Sequence, residues 1–192
     1  MLETIIAKID QELQKTARLI VAIDGRCASG KTTLAGKLQA HYGCNLIHMD
    51  EFFLRPEQRT PQRFQTPGEN VDHERFLEEV LMPLSRGEHV SYRPFQCGTQ
   101  TLAEPVLVGK HPLTIVEGSY SFHQNLRKFY DLKVFLTVDP ETQMERIVCR
   151  NGKEMAEIFR TRWIPMEENY FETLKIAQYA DLMFSTAEKE RL

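Results

Sequence analysis

The segment GRCASGKT, Gly25 to Thr32, constrains this chain of 192 residues more than any other feature. It satisfies the spacing GxxxxGK[ST]. Glycines at such positions let the backbone turn so that successive N–H groups face one centre. The residues that follow carry helical spacing, so the positive end of a helix dipole points at the same centre. Upstream, LIVAID (Leu19–Asp24) is a continuous apolar run of the kind that fills a strand covered on both faces. Strand, glycine loop and helix in that order make a receptor for an anion.

The rest of the chain repeats the same alternation. Apolar runs at Asn45–Asp50, Leu113–Glu117, Lys133–Val138 and Asp181–Phe184 read as further strands. Helical spacing covers the N-terminal MLETIIAKIDQELQKTARL, then Thr32–Tyr42, Asp72–Leu84, Phe122–Tyr130, Pro140–Cys149 and Lys153–Gln178. The pattern predicts an α/β fold: a three-layer, doubly wound parallel sheet in one domain spanning residues 1–192. Only the stretch 51–111 breaks the rhythm, with prolines at 56, 61, 67, 94 and 105. It reads as an acceptor-binding insert, with His89–Phe95 and Val106–Val108 as short projecting arms.

Composition removes several classes. Lys+Arg number 24 against 27 Asp+Glu, a formal charge of −3, which argues against nucleic acid or an anionic membrane as partner. The longest apolar run near the N-terminus is far short of the roughly 20 residues that cross a bilayer, and no signal-peptide pattern precedes it. A cytoplasmic location is the expectation. The four cysteines, at 27, 44, 97 and 149, form no CxxC pair, so neither a zinc site nor a disulfide framework is indicated.

Within the loop, Gly25, Arg26, Cys27, Ala28, Ser29, Gly30, Lys31, Thr32 and Thr33 are the expected nucleotide-binding residues. Lys31 would reach the β and γ phosphates, and the Thr32 hydroxyl would ligate Mg²⁺. Asp50 and Glu117 end two strands on the same edge of the sheet, where ligands of open α/β folds collect. A carboxylate there can hold the metal, the role expected for Glu117, or accept a proton from an attacking hydroxyl. Arg146, Arg150, Arg160 and Arg162 crowd the segment 146–163, which reads as a lid closing over transferred charge, or else as a solvated helix face. Arg93, Phe95, Gln96 and Tyr120 are candidates for an acceptor pocket, with packing as the alternative.

These segments together resemble the uridine kinase-like P-loop kinases, relatives of nicotinamide riboside kinase, pantothenate kinase and phosphoribulokinase. The resemblance rests on GRCASGKT, MDEFF, VDHERF, IVEG, RIVCR and YADLMF. It implies a P-loop NTPase, nucleoside kinase-like fold that uses ATP and Mg²⁺. It further implies that Asp50 is the catalytic base and that Asp72 hydrogen-bonds ribose hydroxyls, although Asp72 also reads as a helix N-cap. Arg146 and Arg150 match lid arginines that act in catalysis beside Lys31. Phe95 and Gln96 stand where pyrimidine-specific members carry a Tyr-Asp pair, and the RGR-like segment after the first lid arginines is missing. The expected activity is ATP-dependent phosphorylation of a hydroxyl on a small molecule, foremost the 5′-hydroxyl of a ribonucleoside. Nicotinamide riboside, pantothenate or a sugar phosphate are alternative acceptors, a non-catalytic nucleotide-binding switch is the rival from another class, and association into a homo-oligomer stays open.

Overall fold

The computed structural model describes residues 1–186. The chain opens with α1 (Leu2–Leu13), enters β1 (Leu19–Gly25), turns through the glycine loop into α2 (Lys31–Tyr42) and returns as β2 (Asn45–His48). The insert follows. Its helical part is α3 (Pro61–Gln65), then α4 (His73–Phe76) joined through a π-turn at Leu77–Leu81 to α5 (Met82–Arg86). The short strands β3 (Val90–Tyr92), β4 (Phe95–Gln96), β5 (Thr101–Leu102) and β6 (Val106–Val108) complete it. After it come β7 (Leu113–Glu117), β8 (Leu132–Thr137), α6 (Pro140–Ile158), α7 (Ile164–Thr173) and β9 (Leu182–Ser185).

β1 is buried at all seven of its positions because both faces of the sheet are covered. Leu19, Val21 and Ile23 pack with Ile5 and Ile9 of α1 and Leu34, Ala35 and Leu38 of α2. Ile20 and Ala22 point the other way, into a core with Phe52, Phe76, Val80, Phe122 and Tyr170. That period-2 alternation between two apolar layers explains why the run carries no polar face. The five strands pair in parallel in the order β2-β7-β1-β8-β9. The expected three-layer α/β architecture is present, and its register sets His48 and Ile23 both opposite Glu117.

Three local expectations are corrected. The second strand stops at His48 rather than Asp50, and Met49–Phe52 forms one 3₁₀ turn. Met49 packs so closely on Gly118, φ +140°, that a Cβ there would lie 2.7 Å from the methionine Cβ. The helix expected over Phe122–Tyr130 shrinks to a 3₁₀ turn at Arg127–Phe129. Upstream of it, the amides of Tyr120 and Phe122 donate to the buried Asp24 carboxylate at 3.2 and 2.8 Å, and the chain then closes mainly in i→i−3 turns, His123 N to Tyr120 O, Leu126 N to His123 O and Phe129 N to Leu126 O. The long helix expected over Lys153–Gln178 is divided by a π-turn at Phe159–Trp163 and then by Pro165 at the start of α7. A proline there withdraws a donor from the ladder, which is where helices bend or restart. The arms of the insert pair with each other, β3 with β6 and β4 with β5, both antiparallel.

Candidate active site

Gly25 enters the loop at φ +138°, and a Cβ on it would sit 1.9 Å from the Leu136 carbonyl oxygen of β8. Only glycine fits that crossing. Beyond it the chain runs to Gly30, φ 92°, which caps α2 without a side-chain bond. The first amides of a helix lack intrahelical partners, and here those of Gly30, Lys31 and Thr32 meet no acceptor among the described residues. The Ser29 hydroxyl is likewise buried and unpartnered among them. Lys31 folds back over the loop, its Nζ donating to the carbonyl oxygens of Gly25 at 2.7 Å and Arg26 at 2.9 Å. A buried ammonium beside unpartnered amides and a free hydroxyl is a cradle suited to a polyphosphate.

Two acids flank the cradle. Thr32 Oγ1 donates to Glu117 Oε1 at 3.1 Å, and His48 Nδ1 lies 2.6 Å from the same oxygen. A hydroxyl and a carboxylate so placed are hard oxygen donors of the type Mg²⁺ takes. The Glu117 bond, helped by the nearby acids, holds His48 above the usual imidazole range. Asp50 follows in the 3₁₀ turn and has no hydrogen bond among the described residues. Its side chain opens to the cleft yet is hemmed in by protein. That desolvation raises its carboxyl above the usual range, Lys31 opposes the rise, and Glu117 and Glu167 reinforce it.

One cleft of about 1220 Å³ joins these groups. Ala28–Thr33, Asp50, Glu117 and Tyr120 line it, as do Arg146, Arg150 and Arg162. Arg146 donates to the Ala28 carbonyl at 3.1 Å and Arg150 to Asn151 at 2.8 Å. Arg162 stacks 4.4 Å from the Trp163 ring centroid.

No protein-family model matches the chain. It is 26% identical over 182 residues to a uridine kinase of Macrococcus caseolyticus, covering 85% of this chain and 86% of that one. A uridine-cytidine kinase B of Dictyostelium discoideum is 30% identical over 146 residues, covering 70% of this chain and 59% of that one. Among solved structures, one described as a possible uridine kinase from Bacillus stearothermophilus superposes with a TM-score of 0.67 at 21% identity, over 94% of this chain and 99% of its own. These relatives and solved structures support a uridine kinase-like P-loop kinase family. The chain is a phosphotransferase acting on a hydroxyl group, and its loop serves a nucleotide. The same fold recurs in a protein assigned as a fructose transport system kinase from Silicibacter sp. TM1040, with a TM-score of 0.74 at 22% identity over 96% of this chain and 98% of that one.

Other sequence candidates lie elsewhere in this kinase. Arg160 is exposed and paired with Glu157 at 2.6 Å, off the cleft wall. Arg93 donates to the carbonyls of Ala103 and Leu102 and so ties the arm together. Phe95 is buried, under Arg59, and Gln96 points to solvent; neither lines the cleft. Asp72 is 2% exposed, caps α4 by accepting from Arg75 N at 3.2 Å, and faces Arg55 and Arg75 at 3.5 Å each. The helix-cap reading of that residue is the one its contacts support. In place of the arm residues, the wall opposite the loop carries Phe53, Arg59, Phe64, Asn70, Cys97 and Gln100.

Sequence reasoning missed three groups that hold the loop. Asp24 is fully buried and accepts from the amides of Gly25, Tyr120 and Phe122 and from the Tyr170 hydroxyl. Burial raises it to about 6, with those donors opposing. Glu167 accepts from the Cys27 amide at 2.9 Å and from the Ser119 hydroxyl at 2.5 Å. Next to it, Glu168 grips Arg26 through two bonds of 2.7 and 2.8 Å. An acid at the end of an apolar strand was a visible signal for Asp24; the pair in α7 sits about 140 residues from the loop and gave none. Cys27, offered to the loop by sequence, is buried beside Glu167, and its thiol is pushed up, first by burial. It is an inert packing residue.

Proposed function

We propose that this kinase passes the γ-phosphoryl group of ATP to a hydroxyl of a small molecule, and that the first acceptor class to test is the primary hydroxyl of a ribonucleoside. The observation that carries the reading is the meeting of the glycine-loop cradle with an unpartnered carboxylate, Asp50, in one cleft. The relatives named for uridine and cytidine support the nucleoside. When bound, ATP supplies the phosphoryl group, and Mg²⁺ held by Thr32 and Glu117 neutralises its charge.

The residues of the chain then divide the work. Lys31 exchanges its bonds to the Gly25 and Arg26 carbonyls for phosphate oxygens, joined by the α2 amides. Asp50 takes the proton of the acceptor hydroxyl as that oxygen attacks, and desolvation, which raises its carboxyl above the usual range, makes it a stronger base. Arg146, Arg150 and Arg162 close from the segment 146–163 and stabilise the spreading charge. The stretch 51–111 supplies the acceptor wall. A cytoplasmic setting follows from the nucleotide requirement, and no helix among the described residues is long and apolar enough to cross a membrane.

A second acceptor class is favoured by one observation. Arg59 and Arg162 line the cleft and have no carboxylate partner among the described residues, so a hydroxyl compound carrying its own anionic group, such as a sugar phosphate, would find two cations. The experiment is an ADP-release screen with ATP and Mg²⁺ across nucleosides, vitamins and sugar phosphates. One class should stimulate turnover by at least tenfold. Slow ATP consumption that no acceptor raises, with tight ATP binding, would replace the kinase reading by a nucleotide-binding switch.

A further inference from the structure

Behind the acceptor wall, three donors meet that the phosphoryl-transfer chemistry does not use. His73 Nε2 lies 3.1 Å from both carboxylate oxygens of Glu69, and His123 Nε2 lies 3.5 Å from Glu69 Oε1. The two imidazoles stack with centroids 3.9 Å apart. His123 is 0% exposed, and its Nε2 has no hydrogen-bond partner among the described residues although it aims at this carboxylate. A fourth carboxylate oxygen, from Glu74, lies 3.6 Å from His73 Nε2 and is half exposed, giving the cluster a mouth to solvent.

We propose that Glu69, His73 and His123, with Glu74 as the outer ligand, form a zinc site. The donor set of two imidazoles and carboxylates is one that Zn²⁺ favours. Ligands about 2.1 Å from a tetrahedral zinc stand about 3.4 Å from one another. The separations of 3.1, 3.5 and 3.6 Å found here lie near that edge, but the two rings are stacked 15° from parallel, so one of them must turn before both Nε2 atoms point at a single ion.

Two groups oppose the ion. Arg63 donates to Glu74 at 2.6 Å and stands 3.5 Å from Glu69, so it must give up part of that pairing. Asn125 N donates to His123 Nδ1 at 3.3 Å, and a ring bound through Nε2 carries its proton on that same atom. His73 Nδ1, which would carry the proton of a ring bound through Nε2, is also buried without an acceptor among the described residues, and against these stands the unpartnered Nε2 of His123.

The site would act as a clasp. Glu69 and His73 flank Asn70, His123 follows Tyr120, and Asn70 and Tyr120 both line the cleft. Zinc would lock the segment after α3 to the segment after β7 and fix the acceptor side of the cleft.

Titration of the full chain with Co²⁺ tests this. Wild type should develop the visible absorption of tetrahedral cobalt at one equivalent and lose it to Zn²⁺, and Zn²⁺ should raise its melting temperature. Glu69→Gln and His123→Asn should each weaken binding at least 100-fold. No saturable uptake by wild type, or uptake undiminished in both variants, overturns the site. If the variants fail to fold, X-ray absorption of zinc-loaded wild type decides: a shell with two imidazoles supports the clasp, and one without imidazole contradicts it.

Discussion

The two ends of the cleft are built by different means. At the nucleotide end the loop is held by main-chain geometry and buried bonds: Gly25 beneath Leu136, Asp24 under three amides, Glu167 on the Cys27 amide and Glu168 on Arg26. At the other end the wall is made of side chains on short elements, with Arg59 held by the Leu54 carbonyl and Arg162 stacked on Trp163. A polyphosphate is the same in every member of such a family, so its receptor can be rigid; an acceptor varies, and its receptor is carried on segments that tolerate change. The contrast separates what holds from what selects.

The largest effect expected is at the junction of the two ends. Asp50→Asn keeps shape and removes the base, so kcat should fall by about 10²–10⁴ while the ATP dissociation constant changes less than threefold. Because the Asp50 carboxyl is raised and acts ionised, kcat/KM of wild type should fall as pH drops through a value above the usual carboxylate range, and a pH–rate profile reads that limb. Lys31→Ala should lower kcat/KM by roughly 10²–10³ and weaken ATP binding as well, since it removes a charge from the rigid end. Asp24→Ala strips the acceptor from three buried amides and one hydroxyl, a loss of about 3 kcal/mol or more, read as a melting temperature lower by roughly 6–12 °C. The smallest effect is at Arg160, exposed and paired with Glu157: Arg160→Ala should alter kcat/KM by about twofold or less, against at least tenfold for Arg162→Ala. Equal losses at the two arginines would erase the distinction between cleft and outer face.

The same contrast governs how much could be read from sequence. The strand, loop and helix from Leu19 to Tyr42 are contiguous, and their chemistry is local, so both fold and phosphate receptor were legible there. The five-strand parallel sheet followed from apolar runs alone. What stayed hidden depends on contacts between distant segments. Helical spacing over Phe122–Tyr130 was real, but Asp24, about 100 residues earlier, anchors the start of the segment, which then closes mainly in i→i−3 turns instead of a helix. Glu167 carries no local mark, since its partner amide is 140 residues away. Phe95 and Gln96 read as pocket residues from their place on an arm, yet pairing of β4 with β5 turns one inward to the core and the other to solvent. Asp72 caps α4 through one carboxylate oxygen and faces Arg55 and Arg75 with the other, which is buried without a hydrogen bond among the described residues.

Calorimetric titration of ATP with Mg²⁺ into wild type and Asp50→Asn tests the division most directly. The account predicts one saturable site per chain in both, with affinities within threefold of each other, because the loop holds the nucleotide and Asp50 does not. No saturable heat in wild type, or an affinity lost with Asp50, would contradict it.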